Sequence, residues 1–315
     1  MNALTLTAPA KINLTLDVLG RRPDGYHDLR TVMQTVDLSD TVTLEPAGEG
    51  ISLSLSDPAL PCDRRNTAFA AAEVFFAALR ERGGDSFGVR MFVQKTVPQQ
   101  AGMAGGSADA AAVLRGLNRL AGDPFSRDAL CALGARIGAD VPFCVRGGAA
   151  LATGIGEVLT PVPGLSETLS IVVCKPPVGV STGAAYNAVD AHLSAVIPSD
   201  EAGLLAALAA GDPAGVGARL HNAFEQALAI PEVTAILTRM RSFRPLGCRM
   251  TGSGSAVFAL FADDAAARAC AAALRGEASV TPAPTASLGE ASSANPAPST
   301  SLGDTFLCRP QSAPL

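Results

Sequence analysis

PQQAGMAGGSADAA, residues 98–111, runs three glycines and a serine straight into an alanine-rich stretch. Without a Cβ, Gly102, Gly105 and Gly106 let the backbone take positive φ and come close to a ligand. Ser107, Ala108 and Asp109 stand where a helix through Ala110, Val113, Leu114 and Leu117 would begin, with its first N–H groups unpaired. Those donors and the helix dipole favour an anion, so the stretch reads as a phosphate cradle. A plain glycine-rich turn with Ser107 or Asp109 as N-cap accounts for the same composition, and the rest of the chain has to decide between the two. Ala104 interrupts the glycines, and its methyl predicts a negative φ there. Neither GxxxxGK(S/T) nor a GxGxxG after a strand occurs, which excludes two common nucleotide fingerprints.

Working outward, residues 4–19 and 31–44 alternate apolar and polar positions with β-branched residues, the pattern of strands. Residues 66–82 show helical spacing through Phe69, Ala72, Phe76 and Leu79 and stop at Gly83-Gly84. A short strand over 89–97 feeds the glycine loop. After the loop helix, 128–137 reads as another helix, and 138–142 as a turn before an apolar strand, because Pro142 biases its predecessor away from helix. A proline-rich stretch, 160–164, suggests a domain boundary near 160. The second half begins with a buried strand over 169–174. Helices over 183–193, 201–210, 212–228 and 230–241 follow, then a glycine-interrupted strand over 248–261, an α+β pattern.

Residues 277–304 differ in kind. PAPTASLGE at 282–290 returns as PAPSTSLGD at 296–304, a Pro/Ala/Ser-rich unit with too little apolar content to pack, and a flexible insertion is expected. The organisation read from the chain is thus a domain over 1–160, a second over 161–276, the insertion over 277–304, and a terminal strand and tail over 305–315.

The 315 residues, 48% hydrophobic and 17% charged, can bury a large core and suggest two domains. A net charge of −5 and the absence of any Lys/Arg run longer than a pair argue against a nucleic-acid partner. Seven cysteines form no CxxC pair, which favours reduced thiols and a cytoplasmic setting, and the three histidines support no zinc site. No long uncharged apolar segment predicts a membrane partner.

Three further features bear on chemistry. Lys11, one of three lysines, lies in the apolar strand-like PAKINL at 9–14, so it either snorkels from an edge strand or meets a partner that offsets its burial. Asp140 is held after Gly138-Ala139 and before VPF, where burial would raise its pKa and a lysine would lower it; a base or a turn aspartate bonded to its own backbone both fit. Asp24-Gly25-Tyr26-His27 sets an aromatic ring beside an imidazole on a turn.

Taken together, APAKINLTLDVLGRRPDGYHDLRTVMQ (8–34), the glycine loop, GADVPFCVRGGAALATGIGEVLTP (138–161), NAFE (222–225) and MTGSGSAVFALF (250–261) resemble the GHMP kinase superfamily. The resemblance implies a two-domain α+β fold, with an N-terminal ribosomal-S5-like α/β domain, a C-terminal ferredoxin-like α+β domain and an active site in the cleft between them. It implies ATP with Mg2+, held by Pro98, Gln99, Gln100, Ala101, Gly102, Met103, Ala104, Gly105, Gly106, Ser107 and Ala108, with Asn66 touching the nucleotide. It makes Lys11 and Asp140 the catalytic pair, and it leaves the magnesium ligands unassigned.

The implied substrate is a CDP-linked methylerythritol, phosphorylated on its 2-hydroxyl on the non-mevalonate route to isoprenoid precursors. By the same resemblance, Tyr26 and Tyr186 sandwich the cytosine, His27 bonds its edge, and Asn13, Ser181, Thr182 and the 251–254 turn (Thr251, Gly252, Ser253, Gly254) hold the substrate. The chain is expected to be a monomer or weak homodimer. A GHMP kinase for homoserine, mevalonate or a sugar, and a non-catalytic nucleotide sensor on the same scaffold, are the alternatives.

Overall fold

The computed structural model describes residues 2–85, 87–277 and 301–312. Among them the strands form one six-stranded and one four-stranded sheet. Two long antiparallel strands, β1 (Leu4–Arg21) and β2 (His27–Ala47), open the chain, as their alternation predicts. The second half of β2 pairs with β4 (Gly88–Gln94), which carries β3 (Ile51–Leu55) parallel to it. The first half pairs with β5 (Ala149–Thr153), and β6 (Val158–Pro161) closes that edge.

Helices α1 (Thr67–Glu81), α2 (Gly105–Leu120), α3 (Arg127–Ala135) and α4 (Val141–Arg146) bury their apolar faces against this sheet around Phe75, Leu114, Leu117 and Phe143. Asn66 caps α1 by accepting from the Ala68 N–H, which fixes the helix start where the sequence places it.

The second sheet orders its strands as β10 (Asp304–Cys308), β7 (Ser170–Lys175), β9 (Val257–Phe261) and β8 (Gly247–Met250). Around it pack α5 (Thr182–His192), α6 (Glu201–Ala209), α7 (Pro213–Ala218), α8 (Ala223–Ala227), α9 (Pro231–Arg241) and α10 (Asp264–Arg275). One apolar cluster holds Ala10, Ile12 and Leu14 of β1 together with Ile171, Val173 and Phe258, so the two sheets share a core.

Four expectations are corrected. The apolar run after Asp140 is a helix, because Pro142 falls in its first turn, where no N–H is missed. Residues 212–228 break into α7 and α8, because His221 exchanges backbone hydrogen bonds with Leu14 and Leu16 of β1 and cannot also be helical. The strand expected over 248–261 is the pair β8 and β9, with the glycine turn between them. β3, β5, β6 and α10 form where the sequence reading named no element.

Of the Pro/Ala/Ser-rich insertion, residues 278–300 lie outside the described residues. The terminal strand is β10, after which Pro310 bridges to Val36 of β2. All seven cysteines are unpaired; five are buried, and burial pushes the thiols of Cys144, Cys174, Cys248, Cys270 and Cys308 up.

Candidate active site

A cleft of about 710 Å³ opens where the glycine loop, β1, the start of α4 and the turn after β8 converge. Pro98 to Ser107 line it without interruption, while Ala108 turns inward and packs in the first core. Ala104 occupies the N-cap position of α2 and makes no side-chain cap, so the capping role considered for Ser107 or Asp109 is not taken up and both lie inside the helix. A helix start without a side-chain cap, facing a cleft, is suited to an anion. The negative φ expected of Ala104 is wrong: it is +59°, because the chain must reverse there to enter α2.

Gly102 is required by contact as well as by φ. It sits at +69°, and a Cβ there would meet the Thr251 carbonyl oxygen at 2.1 Å. Gly252, at +55°, is likewise held against the Gly102 backbone. The two glycine turns, from opposite halves of the chain, therefore pack main chain to main chain.

Lys11 does not snorkel. A register shift between Pro9 and Lys11 marks a bulge in β1, the kind of irregularity that re-aims a side chain, and Lys11 is 4% exposed. Its Nζ donates to Asn13 Oδ1 at 2.8 Å and to the Gly102 carbonyl at 3.0 Å. Asp140 Oδ2 lies 3.8 Å away, close enough to attract and too far to hydrogen bond. An ammonium has three donors, so one N–H remains to face a third oxygen beside that carboxylate.

Asp140 occupies the N-cap position of α4 yet makes no side-chain cap bond, and its side chain is 36% exposed. The carboxylate is presented to the cleft, and the backbone-bonded turn aspartate is excluded.

Asn13 is held by its neighbours. Its Oδ1 also accepts from the Gly252 N–H and Thr251 Oγ1, and its Nδ2 donates to Thr31 Oγ1. Thr251 is fully buried and stands behind the cleft wall; Gly252, Ser253 and Gly254 are on it. Ser181 caps α5, and both it and Thr182 line the opposite end with Leu16, Leu29 and Tyr186.

The aromatic sandwich is not assembled here. Tyr26 is 61% exposed at a hairpin tip, and neither it nor His27 is on the cleft wall. The ring facing Tyr186 is the His27 imidazole, at 4.4 Å and 17°, with its Nε2 2.8 Å from Asp190 Oδ1. Tyr186 meets Phe224 edge-on, and burial with the Asp140 charge pushes its phenol up to about 12.

Lys95 and Asp40, which the sequence reading missed, lie beneath the loop with Asp109, which it considered only as an N-cap. Lys95 Nζ donates to Asp40 Oδ2 at 2.5 Å and to Asp109 Oδ2 at 2.6 Å, and all three are largely buried. Burial alone would lower the Lys95 pKa, but the two carboxylates outweigh it and raise it. One lysine cannot neutralise two acids: burial, helped by Asp40 and only partly offset by Lys95, pushes Asp109 up to about 7. The rarity of lysine in this chain is the signal that could have found Lys95, as it found Lys11.

Models of the GHMP kinases N terminal domain and the GHMP kinases C terminal domain match residues 66–148 and 204–279. A 4-diphosphocytidyl-2-C-methyl-D-erythritol kinase of Caldicellulosiruptor saccharolyticus is 44% identical over 263 residues, covering 82% of this chain and 89% of that one. The chain belongs to this family of GHMP kinases. The kinase of the same description from Symbiobacterium thermophilum is 47% identical over 257 residues, covering 81% and 89%.

A crystal structure of a 4-(cytidine 5'-diphospho)-2C-methyl-D-erythritol kinase superposes with a TM-score of 0.75 at 32% identity, covering 98% of this chain and 99% of that one. A homoserine kinase from Cytophaga hutchinsonii, at 21% identity and a TM-score of 0.69 over 87% and 90% of the two chains, shares the fold. As a member of the GHMP kinases the chain is an ATP-dependent small-molecule kinase. No helix among the described residues is long and apolar enough to cross a membrane.

Proposed function

We propose that this kinase transfers the γ-phosphoryl group of ATP to the 2-hydroxyl of 4-diphosphocytidyl-2-C-methyl-D-erythritol. The observation that carries the reading is the pair of Lys11 and Asp140, 3.8 Å apart on a cleft wall beside the start of α2. Asp140, uncapped and open to the cleft, takes the hydroxyl proton. The remaining N–H of Lys11 stabilises the negative charge that grows on that oxygen and on the phosphoryl group. The new O–P bond forms as the bond to the β-phosphate breaks, and ADP leaves with that electron pair.

Such a transfer needs chiefly positioning and charge stabilisation. The backbone N–H groups of 99–104 and the first turn of α2 hold the phosphates, with Asn66 toward the nucleoside. No group of three or more His, Cys, Asp or Glu suited to a metal occurs among the described residues, so Mg2+ would be held mainly by the phosphates it arrives with. Tyr186, Ser181, Thr182 and His27 receive the cytidine end, and Tyr26, exposed on its hairpin, folds over the base when it binds.

An assay of ADP release with the CDP-linked substrate tests this, with homoserine, mevalonate and a sugar as comparison acceptors. The folded protein is expected to turn over the first alone; no turnover, or a preference for another acceptor, overturns it. Asp140→Asn should bind both ligands and lose about 100-fold or more in kcat. Retained activity would instead remove the base from the mechanism.

A further inference from the structure

The phosphate loop has two stems. One is Lys95 to Val97, leaving β4, and the other is the first turns of α2. Asp40, fully buried in β2, bonds the first directly and reaches the second through Lys95. Its Oδ1 accepts from the N–H groups of Thr96, at 2.5 Å, and Val97, at 2.8 Å. Its Oδ2 accepts from Lys95, and the same ammonium reaches Asp109 on α2. A Cβ built on Gly105, the first residue of α2, would lie 3.7 Å from Asp40 Oδ2, so the carboxylate sits directly under the point where the loop re-enters the helix.

Burying one cation between two acids is a costly way to stabilise a fold, since apolar residues of similar volume usually serve as well or better. What the arrangement supplies is a fixed position for both ends of an otherwise glycine-rich segment.

We propose that Asp40 is a positioning residue for nucleotide binding: it presets the phosphate loop by holding the amides of Thr96 and Val97 and, through Lys95, the start of α2. The inference rests on the reading that this loop holds the phosphates of ATP. Lys95 and Asp109 line the cleft, whereas Asp40 lies behind it, so Asp40 acts on the nucleotide through the loop and Lys95 and not by contact.

Asp40→Asn keeps the shape and removes the charge. Binding of a non-hydrolysable ATP analogue should weaken about 10-fold or more, while the CDP-linked acceptor keeps its affinity within about two-fold. Equal losses for both ligands would mean general loosening and would overturn the proposal, as would no loss for either. A measurement on the unaltered protein removes dependence on that variant folding. Amide exchange at Thr96 and Val97 should be slow without nucleotide and change little when the analogue binds. Protection that arises only with nucleotide would show that the loop is not preset. If the unaltered protein shows no thermal stabilisation by the analogue at all, it is the ATP reading of the loop that fails instead.

Discussion

Position 104 places a methyl group where the backbone asks for none. Ala104 holds φ at +59°, a conformation that costs an L-residue about 1–2 kcal/mol. Glycine would relieve it and give back about 0.5–1 kcal/mol as greater freedom of the unfolded chain. Ala104→Gly should therefore raise the unfolding free energy by about 0.5–1 kcal/mol in urea titration. Gly102→Ala, with both a positive φ and a carbonyl oxygen 2.1 Å from the new Cβ, should lose more than about 2 kcal/mol. A stabilising Gly102→Ala, or a destabilising Ala104→Gly, would contradict the loop geometry.

Gly102 is legible in the sequence because glycine is itself the signal. The strain at Ala104 is not, because it comes from the path into α2. The same holds for Lys95, whose rarity is visible while Asp40, its partner 55 positions away, is not. Asp109 adds a pH dependence. With its folded pKa raised to about 7 from 3.8, the native state binds a proton that the unfolded chain has released. Its contribution is full below about pH 4 and is lost as pH rises through about 7. Stability curves of the natural protein and Asp109→Asn at several pH values should differ by that fall, which the variant lacks.

Among elements, the long periodic ones are plain from sequence, and the short ones depend on partners. Residues 212–228 read as one helix in spite of Gly215, Gly217 and Asn222, and the two backbone bonds between His221 and β1 split the run. Likewise, a five-residue apolar run after Asp140 cannot be told from a strand by periodicity. Asn222, at the break, shows what the split achieves. It is 2% exposed; its Oδ1 caps α8 at the Glu225 N–H, and its Nδ2 donates to the carbonyls of Met250 and Gly252.

Asn222→Ala removes a cap and leaves two buried carbonyls unpaired, an expected loss of about 2–4 kcal/mol in urea unfolding. The Gly252 turn backs Gly102, so affinity for an ATP analogue should weaken as well. Asn222→Asp aims a carboxylate at the same two carbonyls and should recover stability as pH falls and the acid protonates. A variant that gains stability toward high pH would show that Nδ2 does not face those oxygens.

In the whole molecule, the composition shift after α10 is visible in the sequence, whereas the return of the chain is not. After β10, Arg309 and Asp37 exchange hydrogen bonds, and Gln311 N–H donates to the Thr35 carbonyl, so the C-terminal stretch closes on β2 of the first sheet. No local pattern encodes a contact across 272 positions. The chain on either side of residues 278–300 is already together: the Leu302 N–H donates to the Leu274 carbonyl at 2.9 Å, and the Arg275 guanidinium bonds the Thr305 carbonyl. Gly303 is pressed on Lys175 so closely that a Cβ would lie 2.2 Å from its carbonyl oxygen. Replacing residues 278–300 with a turn of about six glycine and serine residues should thus leave both anchors in place. Loop-closure entropy then favours the shortened chain by about 1 kcal/mol. The unfolding free energy should be equal or higher by that amount, and turnover unchanged, because among the described residues the cleft is lined from Lys11 to Gly254. Loss of turnover with unchanged stability would assign the repeats a part in the reaction, and loss of stability would show that the anchors at Leu274 and Leu302 need the longer connection.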